Sequence, residues 1–251
     1  MSATAYFGHR ARLGLIVPPN NTVSESEWAS AMPPGVTLHA TRFRLNPLAR
    51  TPDELDLLRV GLLDASAMLA EAEMSAIAFA CTAPSAVSPR HALEAQMAQA
   101  STLPAATAAA AVVDALAALG AASVTLFSPF SAAVTAHEAA FMEQEGVRVL
   151  AQHSLGHGTY APGRRLEIHR IAPSAVRDAV LAIDHGAADA LVLSGTNLVT
   201  FPILEELEQL AGKPVVSSNQ ALLWSTLRKA GIDDALALGH LFSVKPLGVS
   251  A

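Results

Sequence analysis

Cysteine is almost missing from this chain. Its 251 residues contain one, Cys81. One cysteine excludes an intrachain disulfide and a cysteine zinc cluster. Cys81 is therefore either a buried apolar residue or a reactive thiol. Aromatic residues are scarce too, at 5%, so small aliphatic side chains must fill most of the core. Charged residues make up only 15% and the net charge is −6, with no basic block. That argues against nucleic acid as the main partner. Long hydrophobic runs are lacking as well. Leu13 to Val17 is too short for a signal peptide core and runs into Pro18-Pro19. The Ala-rich stretch Ala105 to Leu119 is broken by Asp114 and is too short to span a bilayer. The chain reads as a soluble cytoplasmic protein with no membrane partner. No Gly-rich phosphate loop of either standard spacing is present.

What is present is ordered. Hydrophobic residues make up 51%, which excludes a disordered chain. Short apolar runs at 13–17, 36–43, 76–80, 124–127, 147–150, 190–193 and 214–216 read as buried parallel strands. Helix patterns lie between them, near 24–31, 53–72, 84–98, 105–119, 131–145, 173–186, 200–211 and 219–230. Thr51-Pro52-Asp53-Glu54 starts one of these helices, with a hydroxyl cap, a proline and then acids at the positive end of the dipole. Strands alternating with helices predict an α/β protein with parallel sheets.

The pattern also repeats. Ile77 to Thr82, a helix, Leu103-Pro104 and a further helix ending at Gly120 are echoed by Leu191 to Thr196, a helix, Lys213-Pro214 and a helix ending at Gly231. The repeat predicts two similar α/β halves, 1–115 plus 218–251 and 116–217. Ligands bind beyond the carboxyl ends of such strands. Cys81-Thr82 and Gly195-Thr196 should therefore face each other across one cleft.

Local chemistry offers several candidates. Cys81 ends a strand and precedes a helix, where free N–H groups and the dipole favour a thiolate or bind a carboxylate. A buried structural cysteine is the competing reading. Asn20 and Asn21 follow the first strand and can donate to a carboxylate, or they form an ordinary turn. Gly195 leaves room for a ligand or permits an unusual backbone angle. His153 and His157 lie four apart, with no further metal ligands evident beside them. Arg164 and Arg165 can clamp a carboxylate or stand as a solvated pair.

These pieces resemble a known family. Gly14 to Thr22, Pro34 to Arg42, Ala80-Cys81-Thr82, Leu126 to Phe130, Glu167 to Ile171, Gly195 to Leu198 and Lys213 to Gln220 are similar to the maleate cis-trans isomerase and arylmalonate decarboxylase branch of the aspartate/glutamate racemase superfamily. The resemblance implies two pseudo-symmetric flavodoxin-like parallel-sheet domains, with the active site between them and no metal or organic cofactor. It implies Cys81 as the catalytic residue. It places Asn21, Thr82, Ala83, Phe130, Arg165, Gly195 and Thr196 at the substrate.

Three positions depart from the family pattern. Gly195 replaces the second cysteine, Phe130 replaces a tyrosine, and Arg165 matches a usual asparagine. A two-base racemisation needs an acid on each face, so the loss at Gly195 argues against a racemase. A bulkier substrate in a pocket enlarged at Gly195 would suit the first two changes. The leading expectation is isomerisation of a maleate-like dicarboxylate by covalent addition of the Cys81 thiolate. The alternatives are a decarboxylase of the arylmalonate type, with Cys81 as proton donor, and a non-catalytic small-carboxylate binding protein. A homo-oligomer stays open. The apolar tail from Ile232 can dock on this chain or on a partner.

Overall fold

The computed structural model describes residues 6–44, 52–157 and 167–244. The first sheet joins β1 (Ala11–Val17), β2 (Val36–Arg42), β3 (Ala76–Phe79) and β4 (Ala105–Thr107), in the order β2-β1-β3-β4. The second joins β5 (Ser123–Ser128), β6 (Arg148–Ser154), β7 (Ala190–Leu193) and β8 (Val215–Ser217), in the order β6-β5-β7-β8. All pairings are parallel. The two orders are the same, and so are their registers at the site. Phe79 pairs with Thr107 in one sheet, and Leu193 with Ser217 in the other. The repeat in the sequence is thus a repeat in topology.

Nine helices are described: α1 (Val23–Ala31), α2 (Pro52–Glu71), α3 (Thr82–Ser85), α4 (Ala92–Ser101), α5 (Ala108–Ala118), α6 (Ala132–Gln144), α7 (Pro173–Leu181), α8 (Leu204–Ala211) and α9 (Ser218–Lys229). The central strands β1, β3, β5 and β7 are buried almost throughout, which explains their unbroken apolar sequences. The two long helices that follow β4 and β8 cross over. α9 follows β8 yet packs on β3 and β4, while α5 follows β4 and touches β8. The two helices also pack on each other. Alanine makes this close contact possible. In α5, Ala108, Ala109, Ala110, Ala111 and Ala115 are all buried. Alanine loses no side-chain entropy in a helix and lets a neighbouring backbone approach. The aromatic-poor composition is therefore a packing requirement. α9 contributes Leu222, Leu223, Trp224 and Leu227, each at most 2% exposed. Each such side chain is worth roughly 1.5–3 kcal/mol of burial.

Some element boundaries differ from expectation. The helix expected over 105–119 begins at Ala108, because Ala105–Thr107 pairs with β3. Small residues carry no β signal of their own, so pairing decides there. The helix expected over 84–98 splits into α3 and α4 around Ser88-Pro89, since proline removes a donor and blocks continuation. The helix expected to reach 186 stops at Leu181. The tail docks on its own chain as far as Val244. Leu238, Leu241 and Phe242 are buried, and Gln220 Nε2 donates to the Leu238 carbonyl at 2.6 Å. Among the described residues no helix is long and apolar enough to cross a membrane.

Candidate active site

The site lies where the loops after β1, β3, β5 and β7 meet, at the carboxyl ends of both sheets. The loops from the two halves are tied directly to each other. Asn21 Nδ2 approaches Thr196 Oγ1 at 3.2 Å and the Thr196 carbonyl at 3.3 Å. Thr196 Oγ1 donates to the Ala80 carbonyl at 2.8 Å. The Thr22 N–H donates to Asn197 Oδ1, and Asn197 Nδ2 donates to the Asn20 carbonyl. The Thr82 hydroxyl donates to Ser218 Oγ at 3.2 Å, and the Gly195 N–H donates to the same oxygen at 3.1 Å. Cys81-Thr82 and Gly195-Thr196 are therefore brought together, as the repeat predicted.

Asn21 has a different task from the one expected. It is 2% exposed. Its Oδ1 accepts from the N–H groups of Val23 and Ser24, so it caps α1 from one residue before Thr22. Its amide nitrogen is spent on Ser24 and Thr196. In this state the side chain holds the two halves together and offers no free donor to a carboxylate. Thr196 is likewise buried and committed. Thr82 and Ala83 open α3, so their N–H groups have no intrahelical partner and remain available as donors. Arg164 and Arg165 lie outside the described residues.

Gly195 and Phe130 fit together in a way the sequence did not suggest. Gly195 has φ of +104°, a conformation side chains rarely adopt. A Cβ there would stand 3.1 Å from Pro129 Cγ and 3.3 Å from Phe130 Cε2. The pocket is therefore not enlarged at Gly195. The ring of Phe130 and its neighbouring proline occupy the space beside the glycine. The Phe130 carbonyl is pinned by the Gly156 N–H at 3.0 Å and by Ser154 Oγ at 2.5 Å.

Cys81 sits where burial favours the neutral form of its thiol. It is half-buried. Burial pushes its thiol up to about 12, and the buried Glu138 adds to the shift. A single-turn helix such as α3 has little dipole with which to stabilise a thiolate.

Two buried acids were missed. Glu27 on α1 accepts from the N–H groups of Thr200 at 2.5 Å and Phe201 at 2.7 Å, and from Asn219 Nδ2 at 2.7 Å. Burial nonetheless raises it to about 7. Asn219 also donates to the Thr196 carbonyl, so Glu27 supports the clamp between the halves. Glu138 on α6 is buried beneath the site. One signal was available for it: Thr135, Glu138, Phe141 and Met142 share a helix face at three- and four-residue spacing, so a charge sits in an apolar stripe.

The arylmalonate decarboxylase family matches residues 13–242.

The chain belongs to the arylmalonate decarboxylase family.

The family members below are enzymes. The chain is 26% identical to a maleate isomerase of Alcaligenes faecalis over 94% of this chain and 98% of that one. Among solved structures it is similar to a Nocardia farcinica maleate cis-trans isomerase in which a cysteine is replaced by serine and a succinylcysteine intermediate is covalently bound. That pair has a TM-score of 0.81 at 26% identity, covering 92% of this chain and 98% of that one. It is also similar to a liganded arylmalonate decarboxylase in which a glycine is replaced by cysteine and a cysteine by serine, with a TM-score of 0.79 at 26% identity and the same coverage, 92% and 98%. The two-sheet α/β fold expected from the sequence is thus the fold of this family.

Proposed function

We propose that this family member is a cofactor-independent enzyme that decarboxylates a small malonate-type diacid, with Cys81 as the proton donor. The observation that carries this reading is one thiol at Cys81 with Gly195 at the matching position of the other half. Cys81 is the chain's single cysteine, and burial favours its neutral thiol. Burial pushes its thiol up to about 12, which favours the thiol over the thiolate. A nucleophile needs the thiolate, whereas a proton donor needs the thiol.

The proposed reaction needs one acid on one face. The bond between the α-carbon and one carboxylate breaks and CO₂ leaves. The electron pair passes into the remaining carboxylate, giving an enediolate. The N–H groups of Thr82 and Ala83 would stabilise its oxygen charge. Cys81 then gives its proton to the α-carbon, and solvent restores the thiol. Gly195 and Phe130 supply no acid on the opposite face, so in this reading the proton arrives from the Cys81 side. The decarboxylase double mutant supports this placement, because its two exchanged positions stand as far apart in sequence as Cys81 and Gly195 do here.

A second reading is isomerisation of a maleate-like diacid by covalent addition of Cys81. The maleate isomerase relative and the succinylcysteine structure favour it. However, that adduct persists in an enzyme from which a cysteine has been removed. A chain with Gly195 in place of a second thiol starts from that deficit.

The test is incubation with phenylmalonate and with maleate in D₂O, followed by proton NMR. Decarboxylation should give phenylacetate with one deuterium at the α-carbon, and Cys81→Ser should abolish it. Fumarate from maleate, with a Cys81 adduct in the intact mass, would establish the second reading instead. A Cys81→Ser variant as active as the parent would refute both.

A further inference from the structure

Beneath the site lies a cavity of about 10 Å³, lined at its polar end by Thr82, Glu138, Ser194 and Ser218. That is about the space one water needs. Its remaining wall is apolar and includes Ala109, Val112, Phe141 and Val192. Glu138 is 1% exposed, and neither of its carboxyl oxygens has a hydrogen-bond partner among the described residues. The Ser194 hydroxyl beside it is also unpaired. A buried carboxyl left unsatisfied is costly, and such a group is retained when it has a use. Glu138 sits on α6, which packs on α3, the turn that begins immediately after Cys81.

We propose that Glu138, with one water held between it, Ser194 and Ser218, is a positioning residue that keeps Cys81 in its thiol form. The geometry supplies the means: a buried acid in a cavity it shares with Thr82, the residue next to the only cysteine. When Glu138 ionises, its negative charge opposes a second negative charge on sulfur. When Glu138 is neutral, that opposition is gone. The direction agrees with the upward push that Glu138 exerts on Cys81. Glu138 itself is raised to about 7 by burial, so the control operates near neutrality.

The surroundings leave Glu138 without a rival. The other titratable or charged groups on the packed elements are Asp114 on α5, His137 and Glu143 on α6, Arg148 and His153 on β6, and Arg228 and Lys229 on α9. None of them lines the cavity. Asp114 is engaged by Arg90, and Lys229 by Glu94. Arg228 is directed to the Ile232 carbonyl, and His153 stacks on Phe127. His137, Glu143 and Arg148 are exposed.

The proposal rests on Cys81 being the reacting group, but its test needs no substrate. Because Cys81 is the single cysteine, its alkylation by iodoacetamide can be followed by intact mass from pH 6 to 10. In the wild type the rate should rise tenfold per pH unit, flatten near pH 7 as Glu138 ionises, and rise again above. Glu138→Gln should remove the flattening and make alkylation at pH 8 at least about tenfold faster, which corresponds to one pH unit. A wild-type profile that climbs without a shoulder would overturn the proposal, even if the variant failed to fold. So would a folded variant alkylated at the wild-type rate. Loss of turnover with the shoulder intact would refute the decarboxylase reading and leave the coupling standing.

Discussion

Placing a thiol at Gly195 is the obvious experiment, and the structure predicts that Gly195→Cys is destabilising. Two costs add. The backbone at Gly195 has φ of +104°, where a side chain is strained. Strain of this kind costs of order 1–3 kcal/mol. The new Cβ would also meet Pro129 Cγ at 3.1 Å and Phe130 Cε2 at 3.3 Å. The proline ring is stiff, and its carbonyl is held by the His157 N–H at 2.9 Å, so it cannot easily retreat. The half-buried phenyl ring can swing away. The expected loss is about 2–4 kcal/mol in total. For a chain of this size that is a fall of roughly 5–12 °C in melting temperature. Urea denaturation of wild type, Gly195→Ala, Gly195→Cys and the double variant with Phe130→Ala separates the causes. Alanine should already show the backbone cost. The double variant should recover about 0.5–1 kcal/mol of coupling, which assigns that share to the ring. A Gly195→Cys protein as stable as wild type would show that the backbone there is not committed to glycine.

Other outcomes follow from the same contacts. Asn21→Ala removes the α1 cap and the tie to Thr196, and should cost about 2–3 kcal/mol in urea denaturation. Serine at this position should recover part of the cap but not the tie between the halves. Glu27 and Glu138 are both raised to about 7 from an ordinary 4.5. Their contribution to stability is therefore fully present below pH 4.5 and lost as pH rises through 7. Each accounts for about 3 kcal/mol across that window. The urea midpoint should fall between pH 5 and pH 8, and Glu138→Gln should flatten that fall. At pH 7 Cys81 should react with iodoacetamide at least about tenfold more slowly than free cysteine, because its thiol is raised. A rate equal to that of free cysteine would contradict a buried thiol.

Much of the architecture was legible because it depends on local pattern. The continuous apolar runs at β1, β3, β5 and β7 mark strands covered on both faces, and no soluble alternative suits them. The repeated strand–Thr–helix unit foretold two sheets of the same order, and the lone cysteine at a strand end foretold where they meet. The short strand at Ala105–Thr107 was hard to read, because alanine is at home in a helix and only the edge of β3 makes it a strand.

The chain's own order of residues determined the number of sheets, the position of Cys81 and the absence of a second thiol. It could not determine the protonation of that thiol, because burial and the field of Glu138 come from a helix more than fifty residues away. Nor could it show that Asn21 would be spent on Thr196, or that Phe130 would fill the space beside Gly195. Those outcomes depend on how two halves pack face to face. Electrostatic and steric effects act through distance in space, and only the tertiary structure sets that distance.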